Sequence, residues 1–285
     1  MSAEDIYAPV RRFADVPGAP VPLASLIIGL IIIEAVWVIG SWAILPDYDM
    51  TTDSTWVTVA LLSTFAFMLF GTFFVVRRLQ GRPPATLFGP LPAALRDAFA
   101  CGRLLAVFLL IVNVVLPFDI WTQSEFGMQP IAWVLLLPIT LGFLLMQVTA
   151  EEVVFRGYLL QGLAARFQSP FAWMVVPSVL FGLGHLWSAD SPAAAAQYVI
   201  WTTAFGLACA DLTGRTGNLG AAIMLHFMTN LFSVALISPV GPIGGLALFQ
   251  LPAQYGPEDV STIGLAFDLV WIWMAWMVCR IALRR

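Results

Sequence analysis

Charged residues are scarce in this chain of 285 residues, and lysine is missing altogether. Asp, Glu, Lys and Arg make up only 11% of the sequence, whereas a soluble domain usually carries about 25%. Hydrophobic residues make up 60%, and the mean hydropathy is +0.89. The long apolar runs lack the two-residue alternation of a barrel strand. These features exclude an ordinary soluble domain and predict an all-α integral membrane protein.

Cysteine is also scarce: Cys101, Cys209 and Cys279 are far apart, and each lies in or beside an apolar run. No pair has a metal-binding spacing such as C-x-x-C, and an odd, dispersed set predicts no disulfide framework. The first 22 residues mix acidic residues with arginine and contain four prolines, so they do not resemble a cleaved signal peptide. We expect residues 1–22 to form a short cytosolic tail.

The apolar runs predict about eight transmembrane helices in a single polytopic domain, residues 23–285. A Pro-rich linker before the third run has room for a short interfacial helix that ends near Arg96, and a Gly/Pro-rich loop, 238–260, precedes the last run. We expect the catalytic core at about 131–238. The predicted spans are 23–45, 55–76, 99–116, 131–167, 171–187, 194–210, 219–237 and 261–283.

Charge distribution predicts the orientation of these spans. With eight spans and a cytosolic N-terminus, twelve of the 13 arginines lie on the cytosolic side, and Arg156 is the exception. Both termini are then cytosolic, and we expect the plasma (inner) membrane of a prokaryote. The opposite loops carry acidic residues and no arginine: Asp47, Asp49, Asp53, Asp119, Glu125, Asp190, Glu258 and Asp259.

Two adjacent carboxylates, Glu151 and Glu152, sit inside the fourth apolar run. On a helix they point about 100° apart, and Arg156 is four residues after Glu152, which is salt-bridge spacing. Glu152 and Arg156 can therefore neutralise each other, which leaves Glu151 without an obvious local partner and free to face a cavity. A carboxylate in such a site can act as a general base. The alternative is a buried structural ion pair with no catalytic role.

The chain has two histidines, His185 and His226, and both lie in apolar runs. Phe181 shares a helix face with His185, and Asn230 shares one with His226, because each pair is four residues apart. Two N–H donors on one face, from His226 and Asn230, suit an oxyanion. The alternative for this pair is interhelical hydrogen bonding without chemistry.

The turn at 166–170 sets the height of the first histidine. In an antiparallel hairpin of continuous helices, residues equidistant from the turn lie at one level. Glu151 is 17 residues before Gln168, and His185 is 17 residues after it. We therefore expect Glu151 to face His185. Glu34 and Asp268, the other intramembrane acids, are interpreted as structural.

The motifs Glu-Glu-x-x-x-Arg at 151–156, Phe-x-x-x-His at 181–185 and His-x-x-x-Asn at 226–230 resemble the CPBP family, over about residues 147–231. This family includes the CAAX prenyl endopeptidases and bacteriocin-processing or immunity proteins. The resemblance implies a glutamate-type intramembrane endopeptidase with an eight-helix core. Glu151 and His185 would activate water, and His226 and Asn230 would stabilise the oxyanion. The residues holding the site would be Glu152 and Arg156, with Phe181 in support.

Three other functions compete with this one. Glu151, His185 and His226 form a two-His, one-carboxylate set, which predicts a zinc protease as a lower-ranked alternative to a site without cofactor. A non-catalytic membrane scaffold or immunity protein is the second, and a proton-relaying transporter, without the internal repeat it needs, ranks lowest. The expected partners are the lipid bilayer and a membrane-tethered peptide or protein substrate, not nucleic acid. The site would open to the cytosol or to the bilayer.

Overall fold

A computed structural model describes residues 6–49, 54–115, 120–189, 191–252 and 261–284. The helices within these ranges carry the fold, and most begin at a proline or behind a serine cap. Ser54, Ser191 and Ser261 each accept a hydrogen bond from a backbone N–H in the first turn of the helix that follows. The helices are α1 (Ala8–Ala14), α2 (Leu23–Ile44), α3 (Thr55–Arg78, with a break at Thr64), α4 (Leu91–Leu110), α5 (Ile120–Gln123), α6 (Pro130–Ala164), α7 (Phe171–Gly184), α8 (Pro192–Thr216), α9 (Gly220–Leu236) and α10 (Thr262–Leu283).

Five helices in the described ranges are long and apolar enough to cross a membrane: α2, with the turn that follows it, and α3, α6, α8 and α10. Helices α7 and α9 are apolar but shorter. The protein is therefore an integral membrane protein built from helices, as the composition predicts. Each predicted span coincides with a helix, while the count of eight crossings and the orientation stay predictions.

The helix that contains the third predicted span begins earlier than the span itself. Helix α4 begins at Leu91, behind Pro90, so the proposed interfacial segment through Arg96 is the first part of one helix. Residues 79–90 connect α3 to α4 and contain a short 3-10 turn, Pro84–Leu87. The helix continues into a π-helical turn, Ile111–Val115.

The second half of helix α6 is enclosed by its neighbours. The whole helix is 35 residues long, and every residue of its π-helical stretch, Val153–Leu160, is buried. The outer helices instead expose large apolar side chains, such as Ile31 on α2 and Phe267 on α10, which a helix facing lipid is expected to do. The polar residues that follow therefore lie on or beside the buried second half of α6, where every residue from 150 to 161 is buried.

The described part of the predicted tail, residues 6–22, packs against the ends of the spanning helices. Val10 and Phe13 of α1 are buried in the main core. Arg11 donates to the carbonyl oxygen of Ala164, the last residue of α6, and to those of Phe167 and Gln168 in the turn that follows. Carbonyl oxygens at a helix end need such donors, because the helix itself provides none for them. This segment therefore covers one end of the bundle, a contact that the prediction of a short tail did not include.

Arginines gather at this same end. Arg82 donates to Gln161 near the end of α6, and Arg215 pairs with Asp211 at 2.7 Å near the end of α8. The structure thus brings together arginines that the sequence assigns to one membrane face.

Three short strands modify the all-helical prediction. β1 (Glu125–Phe126), β2 (Ile237–Pro239) and β3 (Phe249–Leu251) form a sheet in the order β1-β3-β2, with β1 antiparallel and β2 parallel to β3. Part of the predicted Gly/Pro-rich loop therefore forms β-strands that pair with each other. Of the acidic residues predicted in the loops opposite the arginines, those at 53, 119, 190, 258 and 259 lie outside the described residues.

Candidate active site

Helix α6 carries the two adjacent glutamates at the start of its π-helical stretch. Short π-helical segments inside α-helices are frequent at functional sites. Both Glu151 and Glu152 are buried. Their side chains leave the helix in different directions, as consecutive positions must, and yet one histidine contacts both.

The ion pair between Glu152 and Arg156 is confirmed. Arg156 Nη1 donates to Glu152 Oε1 at 3.0 Å, and both side chains have zero exposed area. Arg156 Nη2 donates to the Gly206 carbonyl oxygen of α8 at 3.0 Å, and the guanidinium lies 4.8 Å from the centre of the Phe181 ring of α7. Arg156 therefore ties α6 to two neighbouring helices.

His226 lies between the two glutamates. Its Nδ1 is 2.9 Å from Glu152 Oε1, and its Nε2 is 3.4 Å from Glu151 Oε2. The second distance exceeds that of a short charge-assisted hydrogen bond, about 2.7–2.9 Å. Glu151 has no ion-pair partner of its own helix among the described residues, as its spacing predicts, but α9 brings His226 to it. The contact of His226 with Glu151 is thus longer than its contact with Glu152.

His185 lies at the end of α7, where the backbone leaves the helical conformation. Its Nδ1 is 2.8 Å from the Phe181 carbonyl oxygen. Because a carbonyl oxygen only accepts, Nδ1 carries the hydrogen in this contact, and in the neutral ring Nε2 then has a free lone pair. The ring is thus oriented and keeps a basic nitrogen.

Glu151 and His185 were expected to face each other, but they make no direct polar contact. No hydrogen bond or ion pair joins them within the described part of the chain. Phe181 separates the two histidines, with ring centroids 4.7 Å from His185 and 6.1 Å from His226. Helix α7 ends at Gly184, so the assumption of a helix continuous through His185 fails.

Asn230 and His226 face α6 together, as their spacing predicts. Asn230 Nδ2 donates to Gln147 Oε1 at 2.9 Å. Gln147 is buried, and it lies outside the three motifs that indicated the site residues. Its position four residues before Glu151, on the same helix face, is the signal that could have found it.

Aromatic residues of α7 and α8 surround the histidines. His185 lies 5.9 Å from the Tyr198 ring, and His226 lies 5.1 Å from the Phe205 ring. Trp201 connects those two, with ring distances of 6.2 Å to Tyr198 and 5.6 Å to Phe205. These contacts could not be predicted from the sequence, because they join helices without a shared motif. These rings make the surroundings of the histidines apolar, and electrostatic interactions are stronger in apolar surroundings than in water.

The remaining polar candidates do not join this cluster through hydrogen bonds or ion pairs of the described residues. Glu34 is partly buried on α2 and near enough to Glu151 for their charges to interact, whereas Asp268 is exposed on α10. No group of three His, Cys, Asp or Glu side chains that could hold a metal ion occurs among the residues described. The set Glu151, His185 and His226 is thus not arranged as a metal site in this structure.

Comparison with known proteins supports the motif assignment. No solved structure matches the chain. It is 24% identical over 216 residues to uncharacterized protein YyaK of Bacillus subtilis (strain 168), which covers 74% of this chain and 72% of the relative. Residues 132–232 match the family model described as type II CAAX prenyl endopeptidase Rce1-like. Over the segment that holds both glutamates, both histidines and Asn230, the chain is therefore similar to the Rce1-like family of proteases, as the motifs indicated.

Proposed function

We propose that this protein is an intramembrane endopeptidase that hydrolyses a peptide bond of a membrane-tethered substrate by direct attack of water. The observation that carries the proposal is the buried contact of His226 with both glutamates, one of which is neutralised by Arg156. Buried charges at membrane depth are costly, and this arrangement leaves Glu151 and one His226 nitrogen for chemistry.

Water activation falls to Glu151 and His185. A water between them gives one proton to the Glu151 carboxylate or to His185 Nε2, and its oxygen attacks the substrate carbonyl carbon. Oriented by the Phe181 carbonyl, His185 Nε2 has the lone pair that this role requires.

The tetrahedral intermediate carries a negative charge on the former carbonyl oxygen. Asn230 donates an N–H to that oxygen. A proton taken up by Glu151 can pass to His226 Nε2 when their 3.4 Å contact shortens to hydrogen-bond distance in the reacting complex, and the resulting N–H is the second donor. Collapse of the intermediate breaks the C–N bond, and the proton leaves with the amine product.

Glu152 and Arg156 hold this arrangement without touching the substrate. Glu152 accepts from His226 Nδ1 and from Arg156, which fixes the imidazole ring. This is the support that a histidine in catalysis commonly receives from a carboxylate.

The proposed substrate is a peptide tethered to the bilayer, with prenylated C-terminal CAAX peptides as the first class to test because the matched family is described by that activity. The zinc protease and the non-catalytic scaffold are the alternatives. We propose no nucleic-acid partner, and a site that substrates reach from the cytosol or the bilayer of a prokaryotic inner membrane.

The test is cleavage of fluorogenic tethered peptides, prenylated and unprenylated, by purified protein in nanodiscs. Glu151→Gln keeps the shape of the side chain but removes the base, so we expect turnover to fall by about 10²–10⁴-fold. Glu125→Gln, the same change at an exposed position on β1, is the matched control and keeps wild-type turnover.

Each other outcome points to a named alternative. Near-normal turnover in Glu151→Gln contradicts the role of Glu151. Activity lost to a chelator and restored by zinc supports the metalloprotease. No cleavage of any peptide in the panel supports the scaffold.

A further inference from the structure

Two polar rungs join α6 to α9. Glu151 contacts His226 in the first, and Gln147 contacts Asn230 in the second. Gln147 lies one helical turn before Glu151, and Asn230 lies one turn after His226, which is the pattern of two antiparallel helices with facing residues. The second rung therefore belongs to the same face as the proposed catalytic residues.

The second rung is enclosed. Gln147 is 6% exposed, and the Asn230 side chain is partly buried. Leu144 and Val234 pack beyond it, in the next turn of each helix, and both are buried in one apolar cluster. A hydrogen bond in such surroundings is stronger than in water and restrains both amides.

The direction of this hydrogen bond determines what Asn230 has left to donate. A primary amide carries two N–H groups on one nitrogen. One N–H of Asn230 is taken by Gln147 Oε1, and the second makes no hydrogen bond with any described residue. The bond thus fixes the plane of the Asn230 amide while it keeps one donor available.

We propose that Gln147 is a positioning residue: it orients the Asn230 amide so that the second N–H meets the oxyanion of the intermediate. This rests on the proposed peptidase function. Preorganised donors stabilise the transition state because no reorientation is needed when the charge develops. Gln147 acts through Asn230 and does not touch the substrate.

The test compares Gln147→Met with Gln147→Glu in the cleavage assay. Met has nearly the same length without the carbonyl acceptor, so we expect kcat to fall about tenfold with KM unchanged, which corresponds to ~1.4 kcal/mol in the barrier. Gln147→Glu keeps an acceptor oxygen and recovers at least about a third of the wild-type kcat.

A second background separates positioning from stability. In Asn230→Ala the amide is gone, and Gln147→Met then changes kcat less than about twofold, because two residues that act as a unit are not additive. Gln161→Met is the matched control, since Gln161 is a buried, hydrogen-bonded glutamine elsewhere on α6. It lowers Tm but leaves the kcat of the folded fraction unchanged.

The outcomes that overturn the inference differ from those that overturn the function. Equal effects of Gln147→Met in both backgrounds, an effect on KM alone, or a loss matched by Gln161→Met leaves Gln147 as a packing residue. Wild-type turnover in Asn230→Ala removes the oxyanion role of Asn230, and with it the need for positioning. A wild-type protein that cleaves none of the peptides overturns the proposed function and this inference together.

Discussion

Removal of Arg156 tests the buried ion pair directly. In Arg156→Ala, Glu152 loses its cationic partner in a site with zero exposed area, and breaking such a pair costs about 3–5 kcal/mol. The variant also loses the hydrogen bond to the Gly206 carbonyl and the contact with the Phe181 ring. Glu152 Oε2 and Arg156 Nε have no hydrogen-bond partner among the described residues, so the pair is not fully satisfied. We therefore expect the lower half of that range.

The assay is thermal unfolding in detergent, with yield of folded protein as a second readout. A loss of this size lowers Tm on the order of 10 °C for a protein of this length. Arg78→Ala is the matched control, because Arg78 is exposed at the end of α3 and its loss costs within about 0.5 kcal/mol.

A double variant without either charge separates the cost of the stranded Glu152 carboxylate from the cost of the lost Arg156 contacts. Arg156→Met combined with Glu152→Met leaves no stranded charge at this pair, and we expect it to be more stable than Arg156→Ala. A Tm of Arg156→Ala within about 2 °C of wild type would refute the reasoning, since it would mean that the pair contributes almost nothing or that water reaches Glu152.

Two further predictions concern packing and pH. Gly182→Val is expected to lower both Tm and turnover. A Cβ at position 182 would overlap the Thr203 hydroxyl and lie 2.9 Å from the Val199 carbonyl oxygen, so the variant pushes apart α7 and α8, which surround His185. Unchanged Tm and kcat would contradict this prediction. Burial and the hydrogen bond to Asp211 raise the pKa of Tyr7 to about 12, above the unfolded value of about 10. Between these two pH values the folded state binds more protons than the unfolded state. The free energy of unfolding therefore falls as pH rises from about 10 to about 12. Tyr7→Phe removes this component, and a Tm-versus-pH curve identical to wild type would show that Tyr7 does not contribute it.

The parts of the site that sequence could predict are those set by spacing along one helix. The pair of Glu152 and Arg156 follows from four-residue spacing, and so does the shared face of His226 and Asn230. The existence and approximate bounds of the helices follow from hydrophobicity, because a membrane helix needs a continuous apolar run. The catalytic roles stay predictions that the proposed assays test.

The parts that failed depend on contacts between helices. The level of His185 relative to Glu151 was predicted from a continuous α7, and this helix ends at Gly184, so the residue count alone no longer supports that level. Gln147 looked like one more polar residue in an apolar run, because its partner is 83 residues away. The docking of α1 was equally invisible, since Arg11 binds backbone carbonyls, which every sequence has.

The two polar rungs between α6 and α9 also bear on how the bundle assembles. Apolar surfaces of membrane helices fit one another in many registers, since lipid offers no hydrophobic penalty for choosing among them. A slip of one turn, about 5.4 Å, would place Glu151 opposite Asn230 and leave His226 and Gln147 facing apolar neighbours. Only the observed alignment satisfies all four side chains at once. The residues assigned to hydrolysis are therefore also the ones that select the alignment of these two helices, so variants that lose them are expected to sample neighbouring registers before they unfold.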